Sequence, residues 1–209
     1  MHVTIITKTP EAGRVKTRLC PPCTPEQAAQ VAMAALADTI DAVTTAVAAI
    51  HGCGNVQPMI LLDGQRGAWI PAQYGIAYQR GDGLGERLAN GFAELGPGLM
   101  IGMDTPAAAL SLPQAITAVA AGNDALGLTV DGGYWVIGLA ATDARVFDNV
   151  PMSQSHTGAA QLRQLHRLGR RVTMLPMGRD LDTAADLQAL ADGTGEGRLA
   201  KVARQILSK

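Results

Sequence analysis

Val3-Thr4-Ile5-Ile6-Thr7 runs directly into Lys8-Thr9-Pro10-Glu11-Ala12-Gly13-Arg14-Val15-Lys16-Thr17-Arg18-Leu19. The first five residues are apolar and β-branched, the pattern of a short buried strand. The segment after them gathers Lys8, Arg14, Lys16 and Arg18 in one glycine-containing loop, opposed only by Glu11. Open α/β sheets bind ligands beyond the carboxyl ends of their strands. A cationic loop at that edge suits a phosphorylated ligand, because Arg and Lys form charge-assisted hydrogen bonds with phosphate oxygens. The plain alternative is a solvated charge run.

Downstream, strand and helix patterns alternate. Thr24, Pro25 and Gln27 carry a helix start, as N-cap, first helical residue and capping-box partner. Met33, Leu36, Ile40, Val43 and Val47 then recur at steps of three and four, and the many alanines let this helix lie close against a sheet. Strands are expected at 59–62, 76–79, 99–103, 126–130, 134–139 and 171–175. Helices are expected from Leu84 to Leu95, around 113–121, at 158–168, and in two C-terminal stretches at 183–191 and 197–207. The alternation predicts a three-layer α/β/α sandwich with a mixed, mostly parallel sheet. The strands flanking Asp131-Gly132-Gly133 lack a crossover helix, so part of the sheet is expected to run antiparallel. With 209 residues and no linker or repeat, a single domain over 1–209 is expected.

Composition narrows the function classes. A net charge of −1 argues against a broad nucleic-acid or anionic-membrane footprint, and 3% aromatic residues argue against stacking platforms for single strands. The apolar stretch 28–50 is interrupted by Gln30, Asp38, Thr39 and Asp41, which reads as a core helix and not a membrane span. The N-terminus enters a strand without a basic start or cleavage pattern, so the cytoplasm is the expected location. Cys20-Pro21-Pro22-Cys23 has redox-motif spacing, and His51-Gly52-Cys53 could complete a metal site. A thioredoxin-type motif would open a helix directly after a strand, however, and a closed zinc site needs four converging ligands; loop cysteines are favoured.

Three acidic segments stand where the sheet opens. Asp104 follows a predicted central strand and offers a carboxylate oxygen of the kind Mg²⁺ takes beside substrate phosphates, although it also suits a turn. No core duty falls to it. In Arg179-Asp180-Leu181-Asp182-Thr183-Ala184-Ala185-Asp186, Thr183 and Asp186 form a capping box, leaving Asp180 and Asp182 without a structural duty. One of these carboxylates could reach a metal while the other pairs with Arg179. Asp131-Gly132-Gly133-Tyr134-Trp135 joins a carboxylate to glycines that permit close backbone approach, with at most one of the two aromatics facing the same pocket. Gly81, Gly83 and Gly85 miss the dinucleotide spacing, because Glu86 and Leu88 stand where the last glycine belongs, and no Walker-type loop occurs. His156 reads as an exposed loop histidine.

Taken in order, Lys8-x-Pro10-x-x-Gly13-x-x-Lys16-Thr17-Arg18-Leu19, Gly83-x-Gly85-x-Arg87, Gly102-x-Asp104-x-Pro106, Asp131-Gly132-Gly133-Tyr134-Trp135 and Asp180-x-Asp182-Thr183 resemble one bacterial family. It is that of GT-A-type nucleotide-diphosphosugar transferases, the radical-SAM- or selenodomain-associated and arsenosugar-biosynthesis-type glycosyltransferases. It is similar in turn to the small nucleotidyltransferases that guanylylate 2-phospholactate or modify molybdopterin. The resemblance implies dependence on Mg²⁺ or Mn²⁺ and a nucleotide-binding set of Lys8, Pro10, Gly13, Lys16, Arg18, Gln79, Gly83, Gly85 and Arg87. It implies Asp104 and Asp182 as metal ligands, and Asp131, Gly132, Gly133 and Tyr134 facing the sugar or acceptor. Lys16, Arg18, Asp104 and Asp131 would be catalytic. The expected partners are a nucleotide sugar or a nucleoside triphosphate, with a small-molecule acceptor. Glycosyl transfer is the first expectation, nucleotidyl transfer with release of pyrophosphate the second, and a non-catalytic nucleotide-binding module the third.

Overall fold

The computed structural model describes residues 1–50, 55–105 and 110–208, so the His51 and Cys53 reading and Pro106 lie outside the described residues. Seven strands form one sheet: β1 (His2–Lys8), β2 (Gln57–Asp63), β3 (Gly75–Tyr78), β4 (Gly98–Gly102), β5 (Asp124–Thr129), β6 (Tyr134–Leu139) and β7 (Val172–Gly178). Their order is β3-β2-β1-β4-β6-β5-β7. All neighbours run parallel except those of β6, which is antiparallel to β4 and β5. The expected antiparallel pairing is therefore present, and it extends to a second neighbour. From β1 the chain passes to β2 on one side and later returns to β4 on the other, so the sheet has a topological switch point between β1 and β4.

Side chains alternate across this sheet and build two cores. Val3, Ile5, Ile60 and Leu99 meet Leu36, Ile40 and Val43 of α1 (Pro25–Ala49) and Ile116 of α3 (Leu112–Ala120). On the opposite face Leu61, Met100 and Ile137 meet Leu88 and Phe92 of α2 (Leu84–Leu95) and Leu165 of α4 (Thr157–Arg167). These faces make the three expected layers.

A third cluster goes beyond the sequence reading. Ala42 and Ala46 of α1 pack in the sheet-side core as expected, but Ala28, Val31, Ala34 and Ala35 do not. These four pack beneath Leu187 of α5 (Ala184–Asp192) and Leu199 and Ala203 of α6 (Arg198–Leu207). Short side chains let helices approach closely, so alanine here serves helix–helix packing. Among the described residues α1 alone has the length and apolarity of a membrane span, but it is packed from two sides, as expected of a core helix. Both anticipated capping boxes form, Thr24 with Gln27 and Thr183 with Asp186.

Candidate active site

The carboxyl ends of β1 and β4 open into a cleft of about 870 Å³ lined by Thr7, Lys8, Lys16, Asp104, Asp131 and Asp182, among others. That volume is in the range of pockets that enclose a cofactor-sized molecule. Strand order arranges its walls from side to side. Gln79 and Arg87 lie beyond β3 and β2, Lys8 ends β1, Asp104 follows β4, and Asp131, Tyr134, Asp180 and Asp182 come from the β5–β6 turn and the end of β7.

At the centre stands Lys16. Its Nζ donates to Asp104 Oδ2 at 2.6 Å, Asp182 Oδ1 at 2.8 Å and the Leu181 carbonyl at 2.5 Å. A lysine ammonium has three protons, and all three are taken. Its side chain is only 7% exposed. Burial opposes the charge, but Asp104 and Asp182 overcome that and raise the pKa, so the group is firmly protonated. Backbone geometry aims it inward: Lys16 has φ 48° and ψ 35°, a left-handed conformation that costs a non-glycine residue about 1 kcal/mol. Lys16 was expected to orient phosphates; in this structure its donors are spent on the acids.

Two apolar anchors hold this arrangement. Leu19, just past the basic loop, and Leu181, between the two aspartates, both insert into the third cluster, with Leu181 2% exposed. On the sheet side, the Thr39 hydroxyl of α1 lies 3.0 Å from the Met103 carbonyl, bracing the residue before Asp104. Asp104 and Asp182 thus meet at one atom although 78 residues apart in number.

The remaining carboxylates fall on the β5–β7 side. Asp131 Oδ1 accepts from the Thr129 hydroxyl at 2.5 Å and the Gly133 amide at 3.0 Å. Asp180 also lines the cleft, and burial together with repulsion from Asp131, Asp104 and Asp182 pushes its pKa up to about 6. Arg179 does not reach Asp180 or Asp182 as anticipated; it stands 3.7 Å from Asp186, while Arg18 approaches Asp182 at 3.4 Å. The helix-capping Asp186 draws Arg179 away from the cleft.

On the β3 side two expected nucleotide contacts are committed internally. The Gln79 amide donates to the Thr7 and Leu61 carbonyls, and its oxygen accepts from Arg87. Arg87 also binds Asp63 at 2.9 Å and the Gly81 carbonyl at 3.0 Å. Both residues therefore shape this wall by bracing the ends of β1, β2 and β3. Lys8 and Arg18 line the cleft, whereas Pro10, Gly13, Gly83, Gly85 and Gly132 do not.

Gly132, at φ +91°, shows why the turn needs glycine: a Cβ there would come 1.8 Å from the Ser155 carbonyl oxygen. That contact seats the Ser153–Ser155 segment on the turn and makes it part of the cleft wall, which the sequence reading did not anticipate. Tyr134 and Trp135 pack in opposite cores, as alternation requires, yet both reach the cleft because it lies at the sheet edge. Trp135 is fixed by donating to the Pro176 carbonyl at 3.1 Å, and burial pushes the Tyr134 hydroxyl pKa up. His156 is exposed at the start of α4 and does not line the cleft. Cys20 and Cys23 are free thiols, with Cys23 buried in the third cluster.

Residues 46–154 match DUF2064, described as "Uncharacterized protein conserved in bacteria", and the chain belongs to this family. No curated protein matches the sequence. In overall structure the chain is similar to a "putative nucleotide-diphospho-sugar transferase" from Desulfovibrio desulfuricans G20, with TM-score 0.82 and 22% identity over 99% of this chain and 95% of that one. It is more distantly similar to Rv0371c from Mycobacterium tuberculosis H37Rv, with TM-score 0.51 and 19% identity over 93% of this chain and 100% of that one. A second structure of Rv0371c, a complex with manganese, aligns at TM-score 0.51 and 18% identity over 91% of this chain and 98% of that one. At these identities the likeness is one of fold: the chain has the nucleotide-diphospho-sugar transferase fold.

Proposed function

We propose that this protein is a metal-dependent transferase acting on a nucleotide-activated donor, and that the group moved is a sugar. The observation that carries the reading is the charge order along the cleft. Lys8 and Arg18 supply cations beside β1, Asp104 and Asp182 converge at the centre, and Asp131 and Asp180 lie on the far side. Among the described residues no basic side chain forms an ion pair with Asp131 or Asp180. An anionic donor fits the first end, whereas a phosphorylated acceptor would be repelled at the other. A neutral hydroxylated acceptor suits the far side, which favours glycosyl transfer over joining a triphosphate to a phosphorylated molecule.

The donor set also suits a divalent ion. Two carboxylates and a backbone carbonyl converge on one point, and hard oxygen donors of this kind are what Mg²⁺ and Mn²⁺ take. Among the described residues no trio of His, Cys, Asp or Glu side chains forms a ready-made cage, so donor phosphates or water would complete the shell. The manganese complex of the structurally similar Rv0371c is consistent with this choice of ion. A divalent ion bound by Asp104 and Asp182 would neutralise charge developing on the diphosphate oxygens. Arg18, 75% exposed at the cleft, is free to turn toward a phosphate. Asp131 or Asp180 would accept the acceptor hydroxyl proton; the raised pKa of Asp180 puts it near the working pH of a general base.

The test is donor turnover with Mn²⁺ across a panel of nucleotide sugars, following released nucleoside diphosphate. Slow hydrolysis of one donor without acceptor supports the reading. If every donor is inert while a nucleoside triphosphate and a phosphorylated acceptor yield pyrophosphate, nucleotidyl transfer replaces it.

A further inference from the structure

We propose that Lys16 is a resident counter-cation which holds the place of the divalent ion and gives it up, swinging into the cleft, when the ion arrives. The inference rests on the reading of Asp104 and Asp182 as metal ligands. Lys16 Nζ is surrounded at 2.5–2.8 Å by oxygens from Asp104, Leu181 and Asp182, the same hard donors that suit the ion. An ammonium and a divalent cation cannot share that point, because like charges at such separations repel strongly. Without Lys16, Asp104 would lose its ion-pair partner and Asp182 would keep only Arg18 at 3.4 Å, which is unfavourable for two part-buried carboxylates held side by side.

The backbone is consistent with a side chain under restraint. Lys16 keeps its left-handed geometry at the start of the short 3-10 turn Thr17–Leu19, where neither glycine nor asparagine relieves the strain. Its three hydrogen bonds are what the left-handed turn delivers. Once released, the ammonium has the cleft that Lys16 already lines to move into. The exchange therefore does two things at once: it neutralises the acids with the incoming ion and delivers a mobile cation to the donor phosphates. Metal and nucleotide diphosphate would then bind with positive coupling, each raising the other's affinity.

The experiment uses the full chain, first without nucleotide and then with a nucleoside diphosphate added. Mn²⁺ binding is measured by electron paramagnetic resonance for wild type and for Lys16→Met, which keeps most of the length but removes the charge. In parallel, wild-type lysines are reductively methylated with and without Mn²⁺, and Lys16 is read by mass spectrometry. The exchange predicts Mn²⁺ affinity about tenfold or more higher in Lys16→Met, a difference near 1.4 kcal/mol. It also predicts that wild-type Lys16 is protected alone and becomes labelled when Mn²⁺ is added. The labelling decides the matter even if the variant fails to fold. Equal Mn²⁺ affinity in both proteins with Lys16 protected throughout overturns the exchange and leaves the metal reading standing. Mn²⁺ bound by neither, with or without a nucleoside diphosphate, removes the metal reading itself.

Discussion

The Leu181 amide donates to the Asp104 carbonyl across 3.3 Å, while the Leu181 carbonyl accepts from Lys16. One residue thereby joins the loop after β4, the loop after β7 and the basic loop after β1. Its side chain is buried in the third cluster, so the join is held by apolar packing as well as hydrogen bonds.

Asp104→Asn follows from this geometry. It removes one of two countercharges from a buried ammonium, so it is expected to lower stability by about 1–3 kcal/mol and to abolish metal-dependent turnover. The sequence alone assigned this residue no core duty and so no stability cost. Urea denaturation beside a donor-turnover assay checks both parts; an unchanged denaturation midpoint would count against the Lys16 ion pair.

Arg18→Ala separates binding from folding. The guanidinium is mostly exposed and only approaches Asp182 at 3.4 Å, so its loss is expected to leave the melting temperature unchanged. Affinity for a nucleoside diphosphate should fall about tenfold at low salt, with the gap narrowing as salt is added. Isothermal titration at two ionic strengths measures this. Equal affinities would remove Arg18 from the phosphate site.

Asp180 sets a pH dependence. Its folded pKa of about 6 lies above the ordinary 3.8, so between these values the folded state holds the proton more tightly than the unfolded chain. The stability linked to this proton is fully present below the unfolded value and is lost as pH rises through about 6. Asp180→Asn should therefore raise stability at pH 8 by about 1 kcal/mol, after allowance for solvent screening, and change little at pH 3.5. Chemical denaturation across this range reads the difference, and a gain confined to acid pH would contradict it.

Gly132→Ala is the strongest structural probe. The added methyl would meet the Ser155 carbonyl at 1.8 Å in a left-handed backbone, so the turn and the 153–155 segment must separate. A loss of about 2–4 kcal/mol is expected, visible as a lower denaturation midpoint. A stability within 0.5 kcal/mol of wild type, the ordinary range for surface changes, would show that the contact is not retained.

Local pattern carried most of the fold. Thr24 and Thr183 announced their helices because capping chemistry is confined to a few neighbouring residues, and the missing crossover around Asp131 announced the antiparallel β6. The convergence of Asp104 and Asp182 came from the family resemblance, and strand ends that share one sheet edge make it geometrically possible. Which cation would stand between them was not legible: Lys16 is 88 residues from Asp104 and 166 from Asp182, and no periodicity records an ion pair at that range. The same limit hid Arg87 behind Asp63, Gln79 behind two carbonyls, and the alanine side of α1 beneath α5 and α6.

That last packing carries the site to the far end of the chain. Leu19 and Leu181, which flank the Lys16 contacts, share one cluster with Leu199 and Ala203 of the C-terminal helix. Fraying of that helix loosens the floor on which both loops stand, so a molecule that tightens the loops also tightens the helix. Amide hydrogens in α6 thus become a remote gauge of occupancy, slowing their exchange when the cleft fills without touching anything bound there.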